Sequence, residues 1–315
     1  MEISEYPQLF LDDVSVARMV NLRRELQAPV KHPGNPLIVQ DKPWEKRMLN
    51  FYGTVLYEPD RKKFRCWYLA REEDGSIVDR PEGPITAEYL QCYAESDDGL
   101  RWTKPPVGWE KFGAYDGHNV LIYSGHGLCV LREPDDSDPA KCYKGAGGPF
   151  FGFSPDGLRW TVRDWKSAVG KNDTGTSVVR WKGEYLAFVR NQAQWEGGVL
   201  REVGLTTSRD FETWTPKTAV FKTDDIDGSP WVQPYGLSVT AWGDCLIGIL
   251  WVFHLDKIPG QNRLGYIDTQ LVTSRDGRSW TRVADRATFL TPTPGAWDRA
   301  GTWAGTTMFV KDDRV

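Results

Sequence analysis

The chain lacks several things, and each absence narrows the field. No apolar run approaches the ~18 residues of a transmembrane helix, so a membrane span is not expected. The first residues, Met1 to Pro7, carry neither a basic segment nor an apolar one, so the sequence shows no signal peptide and predicts a cytoplasmic protein. There is no basic surplus: 39 Lys and Arg stand against 43 Asp and Glu, a net charge of −4 with pI near 5.7. That balance argues against a nucleic-acid binder. Cysteine is scarce and odd in number. The five, at 66, 92, 129, 142 and 245, are scattered and form no Cys-x-x-Cys pair. They read as buried free thiols rather than as a zinc site or a nucleophile. The four histidines (32, 118, 126 and 254) are dispersed as well, with no metal-ligand spacing. No convincing amphipathic helix appears; Arg18 to Leu26 could form two turns at most.

What is present is punctuation and tryptophan. The 315 residues include 31 Gly, 20 Pro and 15 Trp. Four of the tryptophans mark a repeat. Ser96–Thr103, Ser154–Thr161, Ser208–Thr215 and Ser274–Thr281 share the pattern Ser-x-Asp-(Gly/Phe)-x-x-Trp-Thr. They recur about every 55–65 residues, the period of a repeated structural unit. The pattern has a physical meaning. Ser and Asp side chains can bond nearby backbone N–H groups and close a turn. Gly next to them can take a positive φ, and the Trp can pack its face between neighbouring units. Each segment is therefore a clasp between two strands.

Between clasps the residues alternate like strands joined by short turns: Thr54–Tyr57 with Phe64–Tyr68, Leu128–Leu131 with Lys141–Lys144, Ser177–Trp181 with Glu184–Val189, and Leu237–Trp242 with Cys245–Leu250. A third strand leads into most clasps. Units of this size with three or four antiparallel strands suit propeller blades, at about 35–109, 115–167, 172–220, 230–285 and 297–315. The expected fold is thus all-β, a single five-bladed β-propeller domain over residues 1–315. Its last blade is incomplete: Thr302 to Val310 offers one strand, Lys311–Arg314 a turn, and a segment at 8–12 one closing strand.

The clasp, the blade length and the stretch from Pro7 to Trp44 resemble bacterial proteins labelled as glycosyl hydrolases, related to the five-bladed propeller glycosidases of families 32 and 43. The clasp also looks like the Asp box of sialidases, whose box has an extra residue between Asp and Gly. The resemblance implies three carboxylates at the narrow end of a central funnel: a base or nucleophile in blade 1, an orienting Asp in blade 2 and an acid in blade 3. The family motifs transfer poorly. Met48–Gly53 echoes the blade 1 motif without its Asp. Arg132-Glu133-Pro134 resembles the blade 2 motif but follows its inner strand instead of preceding it. The blade 3 Glu-Cys has no counterpart.

Geometry supplies other candidates, because the residues just before each inner strand line a propeller's funnel. These are Trp44 and Glu45 with Arg47 and Asn50; Asp116, His118 and Asn119; Asn172, Asp173 and Thr174; Asp225, Asp227 and Trp231; and Trp297, Asp298 and Arg299. An acid at or near every entrance, with Trp beside two of them, suits a sugar ring and its hydrolysis. Asp173 and Asp298 are the expected working carboxylates and Glu45 the third. Trp44, Arg47, Asn50, Asp116, His118, Asp227, Trp231 and Trp297 are the expected substrate contacts. Several have a plainer alternative: a turn cap for Asp173, a salt bridge to Arg299 or Arg47 for Asp298, a solvent-exposed position for Glu45, a common turn for Asp116, packing for Trp44 and Trp297. The expected function is hydrolysis of an oligosaccharide or polysaccharide, the expected partner a carbohydrate. The alternative is a propeller that binds carbohydrate without catalysis. No cofactor is expected; Ca²⁺ is the metal that converging acids would hold through oxygen ligands.

Overall fold

The computed structural model describes residues 9–14, 16–72, 76–78, 85–87, 89–123, 125–196, 198–256 and 265–308. By contact the chain groups into two compact units. The first is His32–Val178 with Gly305–Val315; the second is Met1–Lys31 with Val179–Ala304.

In the first unit, runs of alternating and fully buried apolar residues form two antiparallel sheets. The first sheet contains β1 (Met48–Glu58) and β2 (Lys63–Arg71). A small separate hairpin follows, β3 (Ser76–Val78) with β4 (Ile85–Ala87). Then β5 (Leu90–Ser96) and β6 (Val120–Ile122) complete the order β1-β2-β5-β6. The register of β1 shifts between Asn50 and Thr54. Gly53 sits in that bulge because a Cβ there would lie 1.8 Å from the Trp67 carbonyl oxygen. The second sheet is a simple meander of β7 (Cys129–Arg132), β8 (Tyr143–Gly147), β9 (Phe150–Ser154) and β10 (Thr161–Asp164). One short helix, α1 (Lys166–Val169), follows. Trp67, Tyr93, Leu128, Val130, Tyr143 and Trp160 form the core shared by the two sheets. Arg65 lies inside it. Its guanidinium donates to Glu58 Oε1 (3.0 Å), Tyr93 Oη (2.8 Å), Tyr143 Oη (2.9 Å) and the Asp156 carbonyl (2.8 Å). A buried charge is tolerable only when it is paired and hydrogen-bonded in this way.

The second unit repeats the scheme. The third sheet runs β11 (Ser177–Trp181), β12 (Glu184–Trp195), β13 (Gly198–Ser208) and β14 (Thr218–Phe221). Lys182 and Gly183 both have positive φ, 49° and 81°, as a two-residue hairpin turn between β11 and β12 requires. The fourth sheet runs β15 (Val232–Trp242), β16 (Cys245–Leu255), β17 (Gly265–Ser274) and β18 (Thr281–Arg282), and β19 (Thr288–Leu290) also pairs with β17. Phe188, Val203, Leu205, Leu237, Leu250 and Val272 are among the residues of its core.

The four clasps form as their residue types require. Asp98, Asp156, Asp210 and Asp276 each accept two backbone N–H bonds on Oδ1, at 2.7–2.9 Å. Ser96, Ser154 and Ser274 accept the N–H of the clasp glycine. Gly99, Gly157 and Gly277 all have φ near +75°, and Phe211 takes the same region at +64°. A bulky residue is disfavoured there. Full burial of Phe211, edge-on to Tyr185 at 5.0 Å, offsets that cost. The clasps also join sheets within each unit. Trp67 Nε1 donates to the Gly157 carbonyl (2.8 Å), and Trp280 meets Phe188 edge-on at 5.5 Å.

Several expectations need correction. Among the described residues there are four blade-type sheets, not five. Thr302–Met308 forms no strand of a fifth sheet; Thr302 and Thr306 bond to residues of the existing sheets instead. In the second unit Thr302 N–H donates to the Ile267 carbonyl (2.8 Å). In the first, Thr306 N–H donates to the Gly53 carbonyl (2.9 Å), its carbonyl accepts from Ser177 Oγ (2.6 Å), and its hydroxyl meets Thr54 Oγ1 (2.6 Å). Residues 309–315, with the expected turn, lie outside the described residues. Leu9–Leu11 is not a strand and Arg18–Leu26 not a helix. The boundary between blades 1 and 2 also moves. Val120–Ile122 is the edge of the first sheet, pairing with Gln91 and Cys92, and is not the inner strand of the second. The clasp-side bridge of Glu95 to Thr103 covers one end of β5; β6 covers the other, which would otherwise present an open edge.

Candidate functional site

In the first unit, Pro43–Glu45 forms a 3-10 turn that buries Trp44 and Glu45. Glu45 Oε1 accepts from Tyr68 Oη (2.6 Å). Its Oε2 accepts from Lys104 Nζ (2.8 Å) and from the N–H groups of Asp41 (3.1 Å) and Lys42 (3.2 Å). The carboxylate is fully enclosed and its four donors belong to the protein. Trp44 meets Phe112, Tyr115 and His118 edge-on, and its Nε1 donates to Asn119 Oδ1 (2.9 Å). His118 is buried beside them. Its Nδ1 accepts from Val120 N–H (3.2 Å), so Nε2 carries the proton that it shares with the Glu110 carbonyl (2.7 Å). Arg47 and Asp116 are exposed, and Asn50 is half-buried on the β1 bulge. Asp116 precedes an edge strand, so it stands at no inner-strand entrance.

Asp173 is half-buried at the approach to β11. Its neighbour Asn172 fixes that approach through bonds to the Gly148 carbonyl (3.1 Å) and Thr176 Oγ1 (2.9 Å). The true entrance to the inner strand β7 is Gly125-His126-Gly127, which sequence reasoning passed over. Both glycines have positive φ. The His126 ring lies 3.9 Å from Tyr89, which also stacks under the Arg71 guanidinium at 5.0 Å. A Gly-His-Gly run directly before an apolar strand was the available signal.

In the second unit, Asp227 is buried between Arg282 (2.7 Å) and Arg286 (2.8 Å), tying its loop to β18 and the turn after it. Asp298 is buried as well. Its partner is Lys31, rather than Arg299 or Arg47, and Thr293 N–H adds a bond at 3.3 Å. Burial pushes this carboxyl up, but the Lys31 and Thr293 bonds and the Lys31 charge outweigh it and hold the group below the ordinary range. Asp298 is therefore equipped to stay ionised. Trp297 beside it and Trp231 before β15 are 59% and 49% exposed, open faces of the kind a sugar ring covers.

A second carboxylate of this unit was not anticipated. Asp268 on β17 is buried, with Oδ2 at 3.1 Å from His254 Nε2 and 3.4 Å from Thr288 Oγ1. Among the described residues its Oδ1 has no hydrogen-bond donor. The imidazole is at ion-pair distance but is not aligned for a hydrogen bond. Its ring stacks on Tyr266 at 4.4 Å and 10°, and Tyr266 is 41% exposed. Register places the group beside Trp231: Val232 pairs with His254, and Leu255 N–H donates to the Trp231 carbonyl (2.9 Å). No motif marks Asp268, because it lies on the third strand of its sheet, far in sequence from any inner-strand entrance. A cavity of about 580 Å³ lies at the opposite end of β17, between Asp12–Val14 and the fourth clasp, away from this chemistry. All five cysteines are free. Among the described residues no group of three or more His, Cys, Asp or Glu converges to hold a metal.

No family model matches the chain, and no curated protein is similar to it at the sequence level. Solved structures are similar in fold. A glycosyl hydrolase from Bacteroides ovatus superposes with TM-score 0.54 at 13% identity, covering 85% of this chain and 81% of its own. A mutant of the family 43 glycoside hydrolase from Bacillus licheniformis gives 0.50 at 10% identity, covering 75% and 43%. This chain thus spans less than half the length of that protein. An α-L-arabinanase from Penicillium chrysogenum, complexed with arabinobiose, gives 0.47 at 11% identity, covering 78% and 72%. At these identities the likeness is one of fold: the all-β propeller that glycosidases use, with four blade sheets in this chain.

Proposed function

We propose that the chain is a glycoside hydrolase that cleaves an O-glycosidic bond in an oligosaccharide or polysaccharide. The observation that carries this reading is the Asp268 carboxylate. It is buried, one oxygen lacks a donor among the described residues, an imidazole lies beside the other, and that imidazole stacks on the exposed Tyr266 ring. Glycoside hydrolysis needs one group to protonate the leaving oxygen and another to activate water or attack the sugar. Within the second unit, Asp298 suits the ionised role because Lys31 and Thr293 hold its proton off. Asp268 offers a second carboxylate, with one oxygen lacking a donor among the described residues and His254 beside the other. Tyr266 and Trp231 supply stacking faces. In the first unit, Asp173 is the carboxylate that remains at an inner-strand entrance.

The test is hydrolysis of a glycan panel by Asp268→Asn, Asp298→Asn and Asp173→Asn variants. Loss of a catalytic acid or base lowers the rate about 10²–10⁴-fold, and that is expected for Asp268→Asn. Full activity in all three variants would overturn the reading. A second reading, carbohydrate binding without catalysis, draws support from the enclosure of Glu45 and Asp227 by structural partners. Glycan binding without any product would select it.

A further inference from the structure

From 9 to 31 the described residues of the second unit form no helix and no strand. Most of their large apolar side chains face solvent, Leu22 and Val30 at 76% and 95% exposure. Apolar burial therefore adds little to hold this segment. Charge holds it instead, at two places. Near its start, Asp12 pairs with Arg275 of the fourth clasp (3.2 Å), which also pairs with Asp244 (2.7 Å). Arg24 folds back on the same point, donating to the Asp12 carbonyl (2.9 Å) and pairing with Asp13. The cavity of about 580 Å³ lies between Asp12–Val14 and the clasp, so this anchor borders a void rather than a packed face. At the far end, the Lys31 ammonium donates to the Thr291 carbonyl (2.6 Å), Thr293 Oγ1 (2.9 Å) and Asp298 Oδ2. Its three N–H donors thus have three acceptors. The same contacts close Asp298: Thr293 N–H takes Oδ1 (3.3 Å), while Lys31 and Thr293 Oγ1 take Oδ2. The carboxylate is 2% exposed and the Lys31 side chain 27%. A sugar stacked on the open Trp297 ring would find the adjoining carboxylate occupied by the protein's own ammonium.

We propose that residues 9–31 form a strap latched by ion pairs, and that Lys31 at its end is an autoinhibitory contact. With the strap closed Lys31 masks Asp298; with the strap released Asp298 is open to substrate. The substrate part rests on the hydrolase reading above. The latch suits reversible opening, because partly exposed ion pairs are individually weak and are screened by salt.

Limited trypsin digestion of the full chain tests the strap without any assay of activity. A cut after Lys31 requires its side chain to leave Asp298, whereas Arg23, 84% exposed, is a control site in the same segment. The ratio of the two cuts, read by mass spectrometry, cancels any effect of salt on the protease. Raising salt from about 0.01 M to about 1 M shortens the screening length from about 30 Å to about 3 Å, and should speed the Lys31 cut relative to the Arg23 cut. Arg275→Gln removes the Asp12 and Asp244 pairs, and at low salt should raise the ratio about two- to fivefold, the worth of one exposed ion pair. A ratio unchanged both by salt in the wild type and by Arg275→Gln overturns the strap. Hydrolysis of the glycan panel then separates the two readings. Faster hydrolysis by Arg275→Gln together with a faster Lys31 cut supports both. A faster cut with no hydrolysis by either protein leaves the strap standing and removes the hydrolase reading. A faster cut with unchanged or slower hydrolysis overturns the autoinhibitory role and leaves the hydrolase reading intact.

Discussion

Replacing Arg65 with methionine keeps most of the side-chain length and removes the charge. In the native chain this guanidinium is 2% exposed, bonds four oxygens at 2.8–3.0 Å, and lies 5.0–5.2 Å from the rings of Trp67, Tyr93 and Tyr143. The variant leaves Glu58, itself 1% exposed, with Tyr143 Oη (2.8 Å) and the more exposed Arg61 (3.3 Å) as its closest partners. It also strips the Asp156 carbonyl of the donor that ties the second clasp to the first sheet. Removing one member of a buried ion pair costs about 3–5 kcal/mol, chiefly because the other charge stays buried. That is a large share of a typical folding stability of about 5–15 kcal/mol. Urea denaturation followed by tryptophan fluorescence reads the loss. Pairing Arg65→Met with Glu58→Gln removes the stranded charge and should recover at least about 1 kcal/mol. The reasoning fails if Arg65→Met unfolds within about 1 kcal/mol of wild type, or if the double variant is no more stable than the single one.

Gly53→Ala places a methyl 1.8 Å from the Trp67 carbonyl oxygen. The backbone must move, so a loss of at least about 1–3 kcal/mol in denaturation is expected; a wild-type midpoint would contradict the bulge assignment. Acid should weaken the clasps. Backbone N–H bonds lower Asp98 and Asp210, the latter to about 2, and in Asp156 and Asp276 the same bonds outweigh a burial that raises them. The unfolded chain, with carboxyls near 3.8, then binds more protons than the folded one. The clasp contribution is present above about pH 4 and is lost on descending towards about pH 2. A melting temperature that stays flat over that interval would show that the clasps do not matter.

The clasps and inner hairpins were legible because their information is local. Ser154, Asp156 and Gly157 satisfy one another within four residues, and Lys182-Gly183 marks its own turn. The edge position of Val120–Ile122 was not legible. An apolar triplet looks the same whether it opens one sheet or closes the previous one, and its partners Gln91 and Cys92 lie some thirty residues back. The fate of Glu45 depends on Lys104 and Tyr68, brought to it by the fold. Asp268 escaped notice for the same reason: its significance comes from His254 on the neighbouring strand and from burial, neither of which spacing encodes.

The two units interleave along the chain, and this orders their maturation. Thr306 bonds Gly53, Thr54 and Ser177, the last across 129 positions, while Lys31 meets Asp298 across 267. During vectorial synthesis β1 and β11 emerge long before the segment that bonds Thr54 and Ser177. Lys31 likewise waits for the segment carrying Asp298 before it finds that counter-ion. Closures of such separation are slow to search for, so the nascent protein keeps both seams open until late. That interval is when a chaperone, or a misdirected strand from another chain, has access to them.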